Sequence, residues 1–195
     1  ELAYFGAKIL HPSSIQPARK ANIPVVLKST MNPEKKGTVI SNNSSGDFIK
    51  AVAAKDGITA IKIKSGRMLL AYGFLRKVFE VFERHQVAID MITTSEVAVS
   101  LTIDSDLDIT KLLEELKHFG SVEVDRNQCI ICVVGHLIQS EPGHATKIFS
   151  TLKDIPLRMI SYGGSKNNVS LLIDEKDKKQ ALQALNIGLF NLSEA

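Results

Sequence analysis

The sequence has no tryptophan, two cysteines and an aromatic content of 6%, too few rings for the stacking platforms that hold single-stranded nucleic acid. No apolar run approaches the roughly 20 residues that cross a bilayer, and the amino end carries no basic-then-apolar leader. Charge of one sign is scarce too. The net charge is +3, with eight Lys/Arg against four Asp/Glu in residues 1–57 and sixteen against seventeen in the remainder. That balance lacks the clustered basic face of a nucleic-acid binder. The phosphate-cradling patterns GxxxxGK[ST] and GxGxxG are absent as well, so no such loop receives a triphosphate. Nucleic acid and membrane are therefore not expected partners.

The two cysteines, Cys129 and Cys132, form "CIIC" inside the apolar run "CIICVVGHLI". With no second pair and no histidine ligands the spacing is a weak metal or redox signal, and on a strand positions i and i+3 face opposite sides. They read as small core hydrophobes. Two thiols without a disulfide framework suit a reducing cytoplasm.

At 195 residues, 44% hydrophobic and 23% charged, the chain can form one large or two small domains. An internal repeat favours two. "GFLRKVFEVFERHQVAIDMITTSEVAVSLTID" and "GHATKIFSTLKDIPLRMISYGGSKNNVSLLID" follow one plan at an offset of 68 to 70 residues. Gly73 matches Gly143, Phe79 matches Phe149, Met91-Ile92 matches Met159-Ile160, and "VSLTID" matches "VSLLID". In the first copy Leu75, Val78, Phe79 and Phe82 repeat at helical spacing, and two β-branched strands follow. A second helix carries Leu112, Leu113, Leu116 and Phe119, with Gly120 expected as its C-cap, and "SVEVD" alternates like a half-buried strand. "EKDKKQALQAL" supplies the matching helix of the second copy.

One further strand per copy would complete βαββαβ, a four-stranded antiparallel sheet with two helices on one face. "ITAIKIKS" (58–65) is expected to pair into the second copy's sheet and "RMLLA" (67–71) to open the first, so that the first copy is nested in the second. Residues 1–48 belong to neither. "ELAYFGAKILHPSSIQPARKA" predicts a helix, a break at Gly6 and a proline-started helix, "IPVVLKS" a strand, and "TMNPEKKGT" a polar loop. They read as the tail of a separate α/β domain whose beginning is missing, and "LFNLSEA" reads as a natural carboxyl end.

With "AYFGAKILHPSSIQPA", "IPVVLKSTMNPEKKGTVIS", "RMLLAYGFLRKVF" and "VAIDMITTSEV" in one order, the chain resembles the C-terminal part of aspartate kinases, particularly the monofunctional lysine-sensitive type. The resemblance covers essentially all of the chain. It implies an α+β fold: residues 1–48 as the tail of an α/β amino-acid-kinase domain, then two ferredoxin-like ACT domains, 66–127 nested between 49–65 and 128–195. It further implies a parent enzyme that phosphorylates the side chain of L-aspartate with ATP and Mg, whose catalytic residues all lie upstream. No catalytic residue, cofactor or metal is expected in the fragment itself, except that Lys8 matches a lysine contacting ATP in relatives.

A free amino acid near the start of the first repeat helix could set its carboxylate on the N–H groups of Gly73, Phe74 and Leu75. Its cationic end would then need an acid, and Asp90, between Ile89 and Met91, is the candidate. The second copy has Arg158 there, so an ammonium is expected to bind the first copy only. The resemblance implies the same L-lysine contacts, at Met68, Gly73, Phe74, Leu75, Ala88, Ile89, Asp90, Thr94, Ser95 and Glu96. Ala71 and Tyr72 depart from the serine and the basic residue of many relatives. A homodimer with the effector at its seam is implied too. The alternatives are a threonine-responsive module of a bifunctional aspartate kinase/homoserine dehydrogenase, and a module that only dimerises.

Overall fold

The structure, a computed structural model, describes residues 10–41, 49–68, 71–135 and 143–190. Lys8, Gly6 and "LFNLSEA" beyond Phe190 lie outside the described residues. Helix α1 (Pro12–Lys20) starts where His11 Nδ1 accepts from the Ser13 N–H at 3.3 Å, with proline at the first helical position as its fixed φ favours. Strands β1 (Val25–Leu27) and β2 (Thr38–Ile40) then pair antiparallel in a small separate sheet, with the expected polar loop between them.

The remainder is built on two long strands, β3 (Ile49–Lys64) and β6 (Ser121–Gly135), antiparallel along nearly their whole length. Between them in the chain come α2 (Phe74–Arg84), β4 (Ile92–Thr94), β5 (Ala98–Asp104) and α3 (Thr110–Leu116). After β6 come α4 (His144–Thr151), β7 (Met159–Tyr162), β8 (Asn168–Asp174) and α5 (Lys178–Phe190). The sheet order is β4-β5-β3-β6-β8-β7.

The long strands change register where Lys55 pairs with Ile130, Ile58 with Gln128 and Ala60 with Asp125. Gly57 (φ +68°) and Asn127 (φ +55°) take the left-handed conformation in this bulge, as a glycine and an asparagine do most readily. On one side, Ile58–Lys64 pairs with β5 and with 121–125 of β6; on the other, residues 49–55 pair with 130–135, which pair in turn with β8. Each half is thus a four-stranded sheet with the strand order of a βαββαβ unit, and the strand completing the second half comes from ahead of the first.

This corrects the expected strand partition. "ITAIKIK" belongs to the first half and "IKAVAAK" (49–55) supplies the second; of "RMLLA", Arg67 and Met68 lie in a single 3-10 turn, Gly66–Met68, rather than a strand, and residues 69–70 lie outside the described set. Gly120 is not the C-cap of α3 either. That helix ends at Leu116 with Lys117 as its cap.

Period-two alternation sorts the strands onto three cores. Ile61, Ile63, Val99, Leu101 and Ile103 face α2 and α3, where Val78, Phe82, Leu112 and Leu116 are buried. Cys129, Ile131, Val133 and Leu171 face α4 and α5 in the same way. The opposite faces of the two halves meet each other without a helix between them, through Ile58, Ala60, Met91, Ile130, Cys132, Met159 and Leu172. Met91 and Met159, equivalent in the repeat, come together there, and the outer strands β4 and β7 approach each other without pairing. Cys129 and Cys132 do lie on opposite faces, both buried and not joined in a disulfide.

Candidate functional site

Asp90 leads into β4 and is held by its neighbour β5. Its N–H donates to Thr102 O at 2.9 Å, the Met91 N–H donates to Thr102 Oγ1 at 2.9 Å, and Thr102 N–H returns a bond to Met91 O at 3.0 Å. Its side chain is only 5% exposed. A carboxylate so far out of water needs a partner, and it has one that sequence reasoning missed: Lys55 Nζ lies 3.1 Å from Asp90 Oδ2 and 2.7 Å from Asp104 Oδ1. The acid expected to receive an effector's ammonium therefore already holds an ammonium of the protein.

Lys55 lies in the 49–55 segment that pairs into the second half, so this ion pair crosses between halves. A second pair crosses in the opposite sense, Arg158 Nη1 to Asp125 Oδ2 at 2.7 Å. Arg158 occupies the repeat position of Asp90, and its N–H donates to Leu172 O at 2.8 Å as Asp90 does to Thr102. Asp125 likewise occupies the repeat position of Lys55. The two ion pairs are copies of one another with the charges exchanged. The signal was present in the sequence, where "KDG" (55–57) stands opposite "DRN" (125–127).

The other predicted residues fall into two groups. Phe74 is buried in the first helix-side core, its ring edge-on to Phe119 at a centroid distance of 6.0 Å, and Met68, Leu75 and Ile89 pack against the same core. Their side chains build the scaffold. Gly73, Thr94, Ser95 and Glu96 are exposed at one end of the first half, and Ala88 is exposed beside Asp90. Gly73 is the N-cap of α2, has φ +77°, and offers that helix start no side-chain hydrogen bond. An 11-residue helix so begun presents unpaired N–H donors.

Within one chain these groups do not converge on Asp90. Asp90 is bonded beside Thr102 and Ser95 beside Ala98, four positions along β5, which is roughly 13 Å of extended strand. The link from β3 to α2 leaves from the Ser95 end, where Lys64 pairs with Ala98 and Ser65 N–H donates to Val97 O at 2.8 Å. At that end lies an open cleft of about 580 Å³, lined by Lys62, Lys64, Ser65, Ser95, Val97 and Ser121 among others. Lys64 there is paired with Glu123 at 2.6 Å, which holds the Glu123 carboxyl below its ordinary value. Among the described residues no cluster of three or more His, Cys, Asp or Glu could hold a metal, and no helix is long and apolar enough to cross a membrane.

Residues 131–187 match the family model of an ACT domain. The chain is 38% identical over 203 residues to "Aspartokinase 3, chloroplastic" of Arabidopsis thaliana, over 97% of this chain and 36% of that protein. It therefore spans little more than a third of that relative's length. A solved structure described as a putative C-terminal regulatory domain of aspartate kinase from Porphyromonas gingivalis W83 is 52% identical, with a TM-score of 0.67, over 74% of this chain and 100% of that one. The crystal structure of E. coli aspartokinase III in complex with lysine and aspartate, in its T-state, is 35% identical with a TM-score of 0.86, covering 97% of this chain and 44% of that chain.

Proposed function

Because the chain belongs to the aspartokinase family and comprises its ACT-containing C-terminal regulatory region, we propose that it is the lysine-responsive feedback module of a cytoplasmic aspartokinase. The parent enzyme would phosphorylate L-aspartate with ATP and Mg, and Lys8 would contact the nucleotide. L-Lysine bound in the first ACT unit would favour an arrangement in which the kinase domain is disabled. That demands a difference in lysine affinity between the two arrangements, since equal binding shifts nothing.

The observation carrying this reading is the nearly buried Asp90 carboxylate at the root of an edge strand whose far end bears Thr94, Ser95 and Glu96. A single amino acid cannot bridge the roughly 13 Å between them. A second copy can. Two β4 strands joined edge to edge, antiparallel about Thr93, would bring Asp90 of one chain beside the partner's Ser95 and Glu96, with acids on both sides of an ammonium. The exposed apolar side chains of Ile92, Val97 and Tyr72 on and near this edge suit burial in such a homodimer, which would also cover an open strand edge. The T-state complex of E. coli aspartokinase III with lysine supports lysine as the effector. The charge exchange at Arg158 supports a single responsive ACT unit.

Titration calorimetry of the chain with L-lysine, with L-threonine as the rival, tests the reading. Saturable heat with L-lysine, lost in Asp90→Ala while the dimer persists by sedimentation, is the expected result. No heat and no thermal stabilisation at millimolar L-lysine would overturn it.

A further inference from the structure

The geometry points to Lys55 as a built-in competitor of the effector: its ammonium holds the Asp90 carboxylate from the other half of the sheet, and an effector ammonium must displace it. This inference rests on the lysine reading above and concerns how that site is regulated.

Asp90 is 5% exposed and Lys55 20% exposed, so little of either charged group is open to solvent. With so little of the Asp90 carboxylate open, an effector ammonium that reaches it must take the place of the Lys55 ammonium, which also repels it as a like charge. Displacement has a ready path, because Lys55 is shared: its contact to Asp104 at 2.7 Å is shorter than that to Asp90 at 3.1 Å, and Asp104 is 49% exposed. When the effector takes Asp90, Lys55 keeps Asp104. Two ammoniums then face these two carboxylates.

The exchange has a structural consequence. Lys55 to Asp90 and Arg158 to Asp125 are the charge-exchanged ion pairs that join the two ACT units. The effector breaks the first and leaves the second, while Lys55 stays tied to Asp104 of the first unit, so occupancy of the site rearranges the inter-unit contact on one side only. The symmetric fold thereby gains an asymmetric response to one ligand. The same competition sets specificity, since a ligand without a side-chain ammonium has no second cation with which to replace Lys55.

The test compares the full chain with Lys55→Met, Asp104→Asn and Arg158→Met, each titrated with L-lysine and with L-norleucine, which lacks the side-chain ammonium. If Lys55 holds Asp90 in about nine molecules of ten, Lys55→Met gains about ten-fold in L-lysine affinity. L-Norleucine binding gains nothing. Asp104→Asn removes the fallback and lowers L-lysine affinity several-fold, while Arg158→Met lowers thermal stability and leaves the affinity within two-fold. Should Lys55→Met fold poorly, its thermal shift with L-lysine exceeds the wild-type shift, and Asp104→Asn still reports the opposite sign. Unchanged or weaker L-lysine binding in Lys55→Met, or unchanged binding in Asp104→Asn, overturns the competition while leaving the wild-type lysine site standing. Absence of binding in the wild type overturns both.

Discussion

Ile58 and Gln128 face each other across β3 and β6 at the centre of an internal two-fold: the flanking pairs, Lys55 with Ile130 and Ala60 with Asp125, map onto one another under the repeat. Because the axis runs through shared strands, the second ACT unit is completed by a strand from ahead of the first. The first borrows nothing from the second, yet both hang from the same two extended segments. Their helix-free faces enclose a common core around the fully buried Ile58.

Ile58→Ala should therefore weaken both units together. Deleting three carbons at a position with 0% exposure removes apolar transfer energy and leaves a cavity, about 3 kcal/mol in all. Urea unfolding followed by circular dichroism should shift to lower midpoint while remaining one transition. Two separated transitions would refute the shared-core account.

Gly120 has a packing reason rather than a helix-ending one. A Cβ built there would lie 2.0 Å from Lys64 O, a backbone atom that cannot swing aside, at the pairing of Lys64 with Ser121. Gly120→Ala should cost about 2–4 kcal/mol and lower the thermal midpoint. Gly66→Ala is the control, since a Cβ there meets nothing within 4 Å and should change stability by less than about 1 kcal/mol.

The cysteines should be chemically silent in the folded state. Burial pushes the Cys129 thiol up to about 12, with the neighbouring Asp56 carboxylate adding to the shift. At pH 8 about one molecule in 10⁴ then carries the reactive thiolate. Native protein should leave a thiol-exchange reagent unreacted over minutes, and urea should release both thiols at once. Rapid labelling of native protein would contradict the packing of Cys129.

The two-copy plan was legible because a glycine before a helix, paired apolar strand positions and "VSL.ID" recur at one spacing. The strand partition was not, for a local reason. "KDG" (55–57) has turn chemistry, and a 16-residue strand interrupted by it reads as a strand start; in the fold the same residues make a bulge that β6 mirrors at "DRN". "RMLLA" has strand composition, but the chain has left the sheet by the Gly66–Met68 turn on its way to α2. The candidate site shows the same division. Asp90 stood out as an acid among apolar neighbours, but its partner Lys55 is 35 residues away and meets it only because the halves fold face to face. Periodicity reports which face a residue takes, and it carries no information about which half-sheet will lie opposite.

The Asp56–Lys178 pair ties the β3 bulge to the start of α5 and gives a pH signature. The hydrogen bond from Lys178 holds the Asp56 carboxyl below its ordinary 3.8 and, reciprocally, raises the Lys178 ammonium above 10.5. A lowered acid stabilises the fold fully above its unfolded value and loses that contribution as pH falls through the folded value. A raised base contributes below its unfolded value and loses it as pH climbs through the folded one. The pair therefore stabilises between about pH 4 and pH 10.5 and fades outside that window. Asp56 is 43% exposed, so solvent screening limits the effect to about 0.5 kcal/mol. Asp56→Asn should lower the thermal midpoint by about 1–2 °C at pH 7, and the gap between variant and wild type should close as pH drops to about 3. A gap that persists at low pH would assign the loss to packing beside Cys129 instead of to the ion pair.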